Sequence, residues 1–204
     1  QVTLFGAGAD VGGKLRLDGT LSGRSEMHKI IDYQKRMAER HGVNFVLGKN
    51  ASAEDVLAIE PDAVVLATGA GLRRPANLSA SADPVVDGMA YIREHAGQSE
   101  ARKGTVLLFD QDHGVTVYGL ADLLAEQFEK VILVTPRTAI GQNVNYCSAI
   151  GVHRRLHQGG VEILPAHDLI DYRDGAVVLR NVFTEGKKPL PDIMQSFLAF
   201  REDI

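Results

Sequence analysis

The pattern of apolar and polar residues predicts alternating strands and helices in the first third of the chain. Short apolar runs predict strands at residues 2–5, 43–47 and 63–67. Between them, apolar residues at helical spacing predict a helix that is capped by Ser25 and ends at His41-Gly42, and a shorter helix over 52–59. Residues 14–24 carry two glycines and no apolar stripe, so they are predicted to be irregular.

The alternation of strands and helices continues in the second half of the chain. Helices are predicted at 88–95, 117–128 and 149–158, and strands at 106–109, 131–134, 161–164, 168–172, 176–182 and 194–200, the later strands forming a meander. Strand–helix–strand units of this size favour a mainly parallel sheet covered on both faces. The predicted fold class is therefore α/β, three-layered and Rossmann-like. Two domains are expected, at 1–80 and 81–204, joined by a connection rich in Arg, Ser and Pro over 71–84.

Composition excludes several classes of function. The chain of 204 residues has 22 Lys and Arg against 26 Asp and Glu, a net charge of −4, which argues against non-specific nucleic-acid binding. No apolar run approaches the ~20 residues of a membrane span. The single cysteine, Cys147, allows no internal disulfide and no four-thiolate iron–sulfur cluster, and it fits the cytoplasm. The chain opens at Gln1 inside an apolar strand, which predicts that it is a fragment of a longer protein.

The end of the strand predicted at 63–67 is the most informative segment. An acidic turn leads into four apolar residues, and the run stops at Ala67-Thr68-Gly69. Small residues at the carboxyl end of a strand allow a ligand to approach the backbone closely. Flavoproteins with two dinucleotide-binding domains have a strand ending in Ala-Thr-Gly, and this segment resembles theirs. A buried strand followed by a plain glycine turn is the alternative.

The glycine run after the first strand invites a second interpretation. Gly6-x-Gly8-x-x-x-Gly12 resembles a phosphate loop, but such a loop needs a helix directly behind it, and the next predicted helix starts only after Ser25. We therefore interpret 2–5 as the second strand of a dinucleotide fold, whose first strand and glycine loop would precede Gln1. Gly6 then stands where an acid usually binds the ribose hydroxyls. Gly12-Gly13, followed by Lys14, still lets the chain pass close to an adenosine or flavin group.

The second strand–helix–strand unit lacks a glycine loop. Its first strand is followed by Asp110-Gln111-Asp112-His113-Gly114, where two carboxylates would repel a pyrophosphate. This turn argues against nicotinamide binding. Asp110, Asp112 and His113 also suggest a metal site, but three ligands close in sequence fix no geometry, and a solvated acidic turn is the preferred interpretation.

Several segments occur in the order found in one flavoprotein family. The chain resembles the carboxyl-terminal region of the trimethylamine dehydrogenase and 2,4-dienoyl-CoA reductase family, which is related to Old Yellow Enzyme. The segments are 2–5, Val11-Gly12-Gly13-Lys14-Leu15, Ile31-Asp32-Tyr33, Gly42-Val43, 61–69, 106–109, Val134-Thr135-Pro136, His153-Arg154-Arg155-Leu156 and Gly160-Val161-Glu162.

This resemblance implies an oxidoreductase that is larger than the chain. It implies FMN and a [4Fe–4S] cluster on an amino-terminal barrel, and ADP or FAD in the region that holds Gly12, Gly13, Lys14, Ala67, Thr68 and Gly69. It also implies a homo-oligomer and, in the amine dehydrogenase branch, an electron-transferring flavoprotein as partner. The turn at 110–114 makes NAD(P) doubtful and favours that branch, so the parent would oxidise or demethylate an amine by hydride transfer to FMN. The fragment alone is expected to be non-catalytic.

Two alternatives and several single residues remain open. The chain could belong to an NAD(P)H-dependent reductase of the dienoyl-CoA type, or it could be a non-catalytic interaction scaffold.

Cys147 is predicted to be an unreactive, partly buried thiol. His153 and His157 have the i, i+4 spacing of a zinc pair, but a solvated basic face is preferred. Arg73 and Arg74 suit either a diphosphate or a solvent-facing linker.

Overall fold

The computed structural model describes residues 1–69, 71, 85–98, 100–173 and 176–199. The chain divides into two compact units, 1–69 and 70–204. The domain boundary predicted at 80 and the two arginines at 73 and 74 lie outside the described residues. Each unit is therefore described by itself.

Unit 1 has a small parallel sheet flanked by helices. Strand β1 (Thr3–Gly6) pairs in parallel with β2 (Asn44–Leu47), and Gly6 lies opposite Leu47. The two strands are connected by α1 (Gly13–Asp18) and α2 (Glu26–Arg40), and α3 (Ala53–Leu57) follows β2. The long helix α2 was predicted correctly, but the side chain of Ser25 makes no capping hydrogen bond to it. The prediction that 14–24 is irregular was wrong for residues 14–18, because α1 begins directly after Gly12, but it holds for 19–24, which form neither helix nor strand.

The strand predicted at 63–67 does not form in the structure. Residues 63–69 have no regular secondary structure, and the side chains of Val64, Val65 and Leu66 are 51%, 88% and 84% exposed. A strand needs a neighbour for its backbone hydrogen bonds, and β1 pairs only with β2 among the described residues. The apolar composition of this run is therefore that of a buried strand, but no partner strand covers it here.

Unit 2 is built on a five-stranded parallel sheet. Its strands are β3 (Val85–Asp87), β4 (Arg102–Asp110), β5 (Phe128–Val134), β6 (Glu162–Leu164) and β10 (Ile193–Ala199), in the order β3-β10-β4-β5-β6. Helices α4 (Gly88–His95), α5 (Val115–Gln127) and α6 (Tyr146–Gln158) occupy the connections after β3, β4 and β5. Residues 106–110 of β4 are all buried, as expected for a central strand covered on both faces.

A second, antiparallel sheet completes unit 2. Strands β7 (His167–Arg173), β8 (Ala176–Asn181) and β9 (Lys187–Leu190) form a meander. Its apolar face packs on the parallel sheet through one core, which contains Leu107, Phe109, Ile132, Val134, Leu169, Tyr172, Val177, Leu179 and Ile193. Helix α5 contacts β4 and β5. The predicted meander is thus present, but the last predicted strand is not part of it: β10 enters the parallel sheet between β3 and β4.

Within the described ranges, every helix lacks either the length or the apolar character that a membrane-spanning segment requires.

Candidate functional site

The end of β1 in unit 1 is fixed by backbone hydrogen bonds. The carbonyl oxygen of Gly6 accepts from the amide of Lys49 at 3.1 Å, and that of Gly8 accepts from Gly48 at 2.8 Å. These bonds tie the segment after β1 to the segment after β2. Since both strands are parallel, this is the carboxyl edge of the sheet, where α/β proteins bind their ligands.

The two glycines at 12 and 13 differ in what surrounds them. Both have positive φ, 106° and 45°. A Cβ on Gly12 would lie 2.9 Å from the side chain of Ile31, so the missing side chain at this position lets α2 pack against the turn. A Cβ on Gly13 would meet nothing within 4 Å. Gly13 therefore leaves its backbone open to a ligand, whereas Gly12 serves packing.

This geometry bears on the phosphate-loop interpretation of the glycine run. The argument that the following helix starts too late was wrong, because α1 follows at once. The interpretation is still disfavoured for another reason, because the space at Gly12 is filled by the side chain of Ile31.

Asp10 is held by two cations of its own unit. Its carboxylate contacts the Nζ of Lys35 at 2.8 Å and the guanidinium of Arg16 at 3.2 Å, and it accepts from the amide of Val11. The hydrogen bond from Lys35, then that from Val11, lowers the pKa of Asp10. Asp10 is therefore committed to the turn and does not replace the acid missing at Gly6.

The second half of the predicted site lies on the surface of unit 1. Ala67, Thr68 and Gly69 are exposed, and Gly69 has φ of 74° with open space around its Cα. Lys14 is also exposed, in the first turn of α1. The backbone at Gly13 and at Gly69 is thus accessible in both halves. The roles of these residues toward a nucleotide remain predictions.

In unit 2, the turn after β4 is filled by a buried polar network. Asp110 is 0%, His113 3%, Tyr118 0% and Thr135 0% exposed. One oxygen of Asp110 accepts from the amide of His113 at 2.7 Å, and the other accepts from the hydroxyl of Tyr118 at 3.0 Å. The same hydroxyl accepts from the amide of Gly141 at 2.6 Å, so α5 is joined both to the end of β4 and to the loop after β5.

The imidazole of His113 lies inside this network. Its Nδ1 is 3.4 Å from the Asp110 carboxylate and 3.4 Å from the hydroxyl of Thr135 at the end of β5. His113 adopts φ of 58°, a left-handed conformation that the bond from its amide to Asp110 stabilises. Burial, and next the charge of Asp110, raises the pKa of the Tyr118 hydroxyl far above its ordinary value. Side chains of this network therefore lie at the carboxyl ends of β4 and β5, where a dinucleotide fold places a pyrophosphate.

The remaining candidates carry no metal-site geometry. No group of three or more His, Cys, Asp or Glu side chains suited to a metal occurs among the described residues. His153 and His157 lie one turn apart on α6, with ring centroids 6.2 Å apart. Cys147 is exposed, so the prediction that it is partly buried was wrong: it occupies the first turn of α6, on the solvent side.

The site residues that sequence reasoning missed are Tyr118 and Thr135. Tyr118 lies inside an apolar helix, where its hydroxyl gives no local signal. Asp110 was the available signal for these partners, since it is a carboxylate at the end of an apolar run. A carboxylate buried there requires polar partners from other elements.

Comparison with known proteins places this fold among oxidoreductases. The chain is 34% identical over 159 residues to a probable N-methylproline demethylase of Rhizobium meliloti (strain 1021). The aligned region covers 78% of this chain and 23% of the demethylase. The structure of histamine dehydrogenase from Rhizobium sp. 4-9 superposes with a TM-score of 0.87 at 25% identity, over 98% of this chain and 32% of that one. The predicted family resemblance is confirmed.

The same comparisons confirm the predicted fold class and set the scale of the chain. It is also 26% identical over 181 residues to an NADH oxidase of Thermoanaerobacter brockii, covering 81% of this chain and 26% of that enzyme. No protein-family model matches. The chain spans about a quarter of the length of these curated relatives.

Proposed function

We propose that the chain is the nucleotide-binding, structural part of a flavin-dependent oxidoreductase that oxidises or demethylates an amine. The similarity to a probable N-methylproline demethylase and to a histamine dehydrogenase carries this proposal. In such a protein the reacting flavin, FMN, and a [4Fe–4S] cluster belong to a barrel domain outside these residues. FMN would supply a hydride acceptor for the amine there, and in this proposal the chain contributes no catalytic side chain.

In this proposal, unit 1 binds the adenosine and diphosphate of ADP or FAD. Gly12, Gly13 and Lys14 border the ligand on one side, and Ala67, Thr68 and Gly69 on the other. Gly13 and Gly69 supply backbone that no side chain shields. Lys14 supplies positive charge near the diphosphate.

The exposed run at Val64–Leu66 supports a further part of the proposal. Its three side chains are apolar and at least half exposed, which is unusual for consecutive residues in a folded domain. A parallel strand from an earlier segment of a longer polypeptide would pair with 63–67 and with the free edge of β1, and would bring its own glycine loop to the nucleotide.

The partners proposed for the whole protein are the barrel domain, a second copy of the whole protein, and an electron-transferring flavoprotein in the cytoplasm.

The second candidate is an NAD(P)H-dependent flavin reductase, favoured by the similarity to an NADH oxidase. It requires a nicotinamide site in unit 2. The network of Asp110, His113 and Tyr118 opposes it, because its buried side chains occupy the crevice at the ends of β4 and β5. A non-catalytic scaffold is the third candidate.

The proposal is tested by one pair of glycine variants. Gly13 and Gly42 both have positive φ and open space for a Cβ, so Ala costs about 1 kcal/mol of stability at either position. Gly13 lies beyond the carboxyl end of β1, whereas Gly42 lies before the amino end of β2, at the opposite edge of the sheet. We expect Gly13→Ala to weaken ADP binding at least about tenfold while Gly42→Ala leaves it unchanged, as measured by calorimetry on the whole polypeptide that contains these residues.

Equal ADP affinity in both variants would remove Gly13 from the site. No binding of ADP or FAD to the unsubstituted protein would favour the scaffold. Tight binding of NADPH would favour the reductase.

A further inference from the structure

Gly6 ends β1 at a point where its backbone does not require glycine. Its φ is not positive, unlike that of ten other glycines among the residues that the structure describes. A Cβ at this position would lie 3.1 Å from a terminal methyl group of Leu47 and 4.0 Å from one of Leu4. Both are ends of flexible side chains, which can move by a few tenths of an ångström. A Cβ is therefore tolerated at position 6 after a small shift of these methyl groups, and the absence of an acid there is a chemical feature of the site.

Neither Asp10 nor Asp55 takes the place of the missing acid. Asp10, the next acid along the chain, is bound by Lys35 and Arg16. Asp55 is engaged in the capping box of α3 and in an ion pair with Lys49 at 2.6 Å. In both carboxylates, the hydrogen bond from the lysine is the first cause of a lowered pKa.

A cation lies beside Gly6 instead. The amide of Lys49 donates to the carbonyl of Gly6, so the backbone of this lysine is fixed next to the end of β1. Its side chain is 47% exposed and long enough to exchange Asp55 for another anion. The end of β1 thus presents a glycine, and the ammonium group of the neighbouring lysine is paired with Asp55.

In dinucleotide folds an acid at this place accepts hydrogen bonds from the ribose hydroxyls and repels a phosphate on the 2′ oxygen. We propose that Gly6 and Lys49 make the nucleotide site of unit 1 tolerant of a 2′-phosphate, so that it accepts 2′-phosphorylated adenosine nucleotides as well as ADP. This inference rests on the proposed function, because it requires an adenosine nucleotide at the carboxyl edge of β1 and β2.

The test compares two probes, ADP and 2′-phospho-ADP, by calorimetry on the whole polypeptide that contains the chain. For the unsubstituted protein we expect dissociation constants within about threefold of each other. Gly6→Glu should bind ADP about tenfold more tightly and 2′-phospho-ADP at least about tenfold more weakly, because a carboxylate gains a ribose hydrogen bond and repels the phosphate. Gly6→Ala is the matched control: it adds the same Cβ without charge and should keep the ratio near one. Lys49→Gln should weaken only 2′-phospho-ADP.

The results separate this inference from the proposed function. A preference of the unsubstituted protein for ADP by more than about tenfold would overturn the inference and leave nucleotide binding intact. Failure of both probes to bind the unsubstituted protein would overturn the proposed function and the inference together. The ratio for the unsubstituted protein decides the matter even if Gly6→Glu fails to fold.

Discussion

Replacing Tyr118 by Phe tests whether the polar network of unit 2 stabilises the fold. The hydroxyl donates to Asp110 at 3.0 Å and accepts from the amide of Gly141 at 2.6 Å, and all three groups are buried. The variant removes a hydrogen bond to a carboxylate and leaves a buried amide without its acceptor. Together these losses cost about 3 kcal/mol of the free energy of unfolding.

Tyr172→Phe is the matched control. Tyr172 is also buried, but its hydroxyl donates to an uncharged acceptor, the carbonyl of Ile193, at 3.1 Å. Its loss should cost about 1 kcal/mol. Urea denaturation, with equal slopes for the variants and the unsubstituted chain, measures both values. A cost for Tyr118→Phe no larger than that for Tyr172→Phe would refute the idea that the network holds this end of unit 2 together.

The same tyrosine predicts a response to alkaline pH. Burial raises the folded-state pKa of Tyr118, so the folded protein keeps this proton more firmly than the unfolded chain does. The resulting stability is fully present below the unfolded pKa of about 10 and is lost as the pH rises through the folded pKa. We expect stability to fall above about pH 10, and to fall less steeply in Tyr118→Phe. Identical pH profiles would contradict this assignment.

Two further predictions concern single polar groups. Ser52→Ala should lower the free energy of unfolding by about 1 kcal/mol, because Ser52 forms a capping box at α3. Ser25→Ala should lower it hardly at all, since the Ser25 side chain makes no capping hydrogen bond. Equal losses of stability in urea unfolding would contradict the assigned caps. Burial raises the pKa of Asp122 in spite of its ion pair with Arg155, so its stabilisation is present below the unfolded pKa and lost as the pH rises above it. At pH 7, Asp122→Asn should therefore be at least as stable as the unsubstituted chain, and a clear loss in thermal unfolding would show that the ion pair dominates.

Local sequence signals predicted the elements whose determinants are local. Helix α4 has the predicted bounds, because Asp87 caps it and its apolar residues follow the helical period. The buried strands β4 and β5 were predicted from continuous apolar runs, which parallel strands require. The position of β10 between β3 and β4 was not predictable in this way, since its partners are remote in sequence and its pattern resembles that of the preceding meander.

In the candidate sites, too, local patterns did not predict the contacts between elements that are remote in sequence. The composition of 63–67 predicts a strand, but strand formation depends on a neighbour, and the structure has none for it among the described residues. The turn after β4 was predicted to be a solvated acidic turn, but Asp110 and His113 are buried. The hydrogen bond that Asp110 accepts from Tyr118 depends on the packing of α5 against β4, which no local pattern predicts.

The most direct test of nucleotide binding is to denature the purified whole protein and identify any released nucleotide by chromatography and mass spectrometry. We expect one ADP or FAD for each copy of unit 1, in addition to the flavin of the barrel domain. Release of flavin mononucleotide without any adenine nucleotide would contradict the proposed role of unit 1.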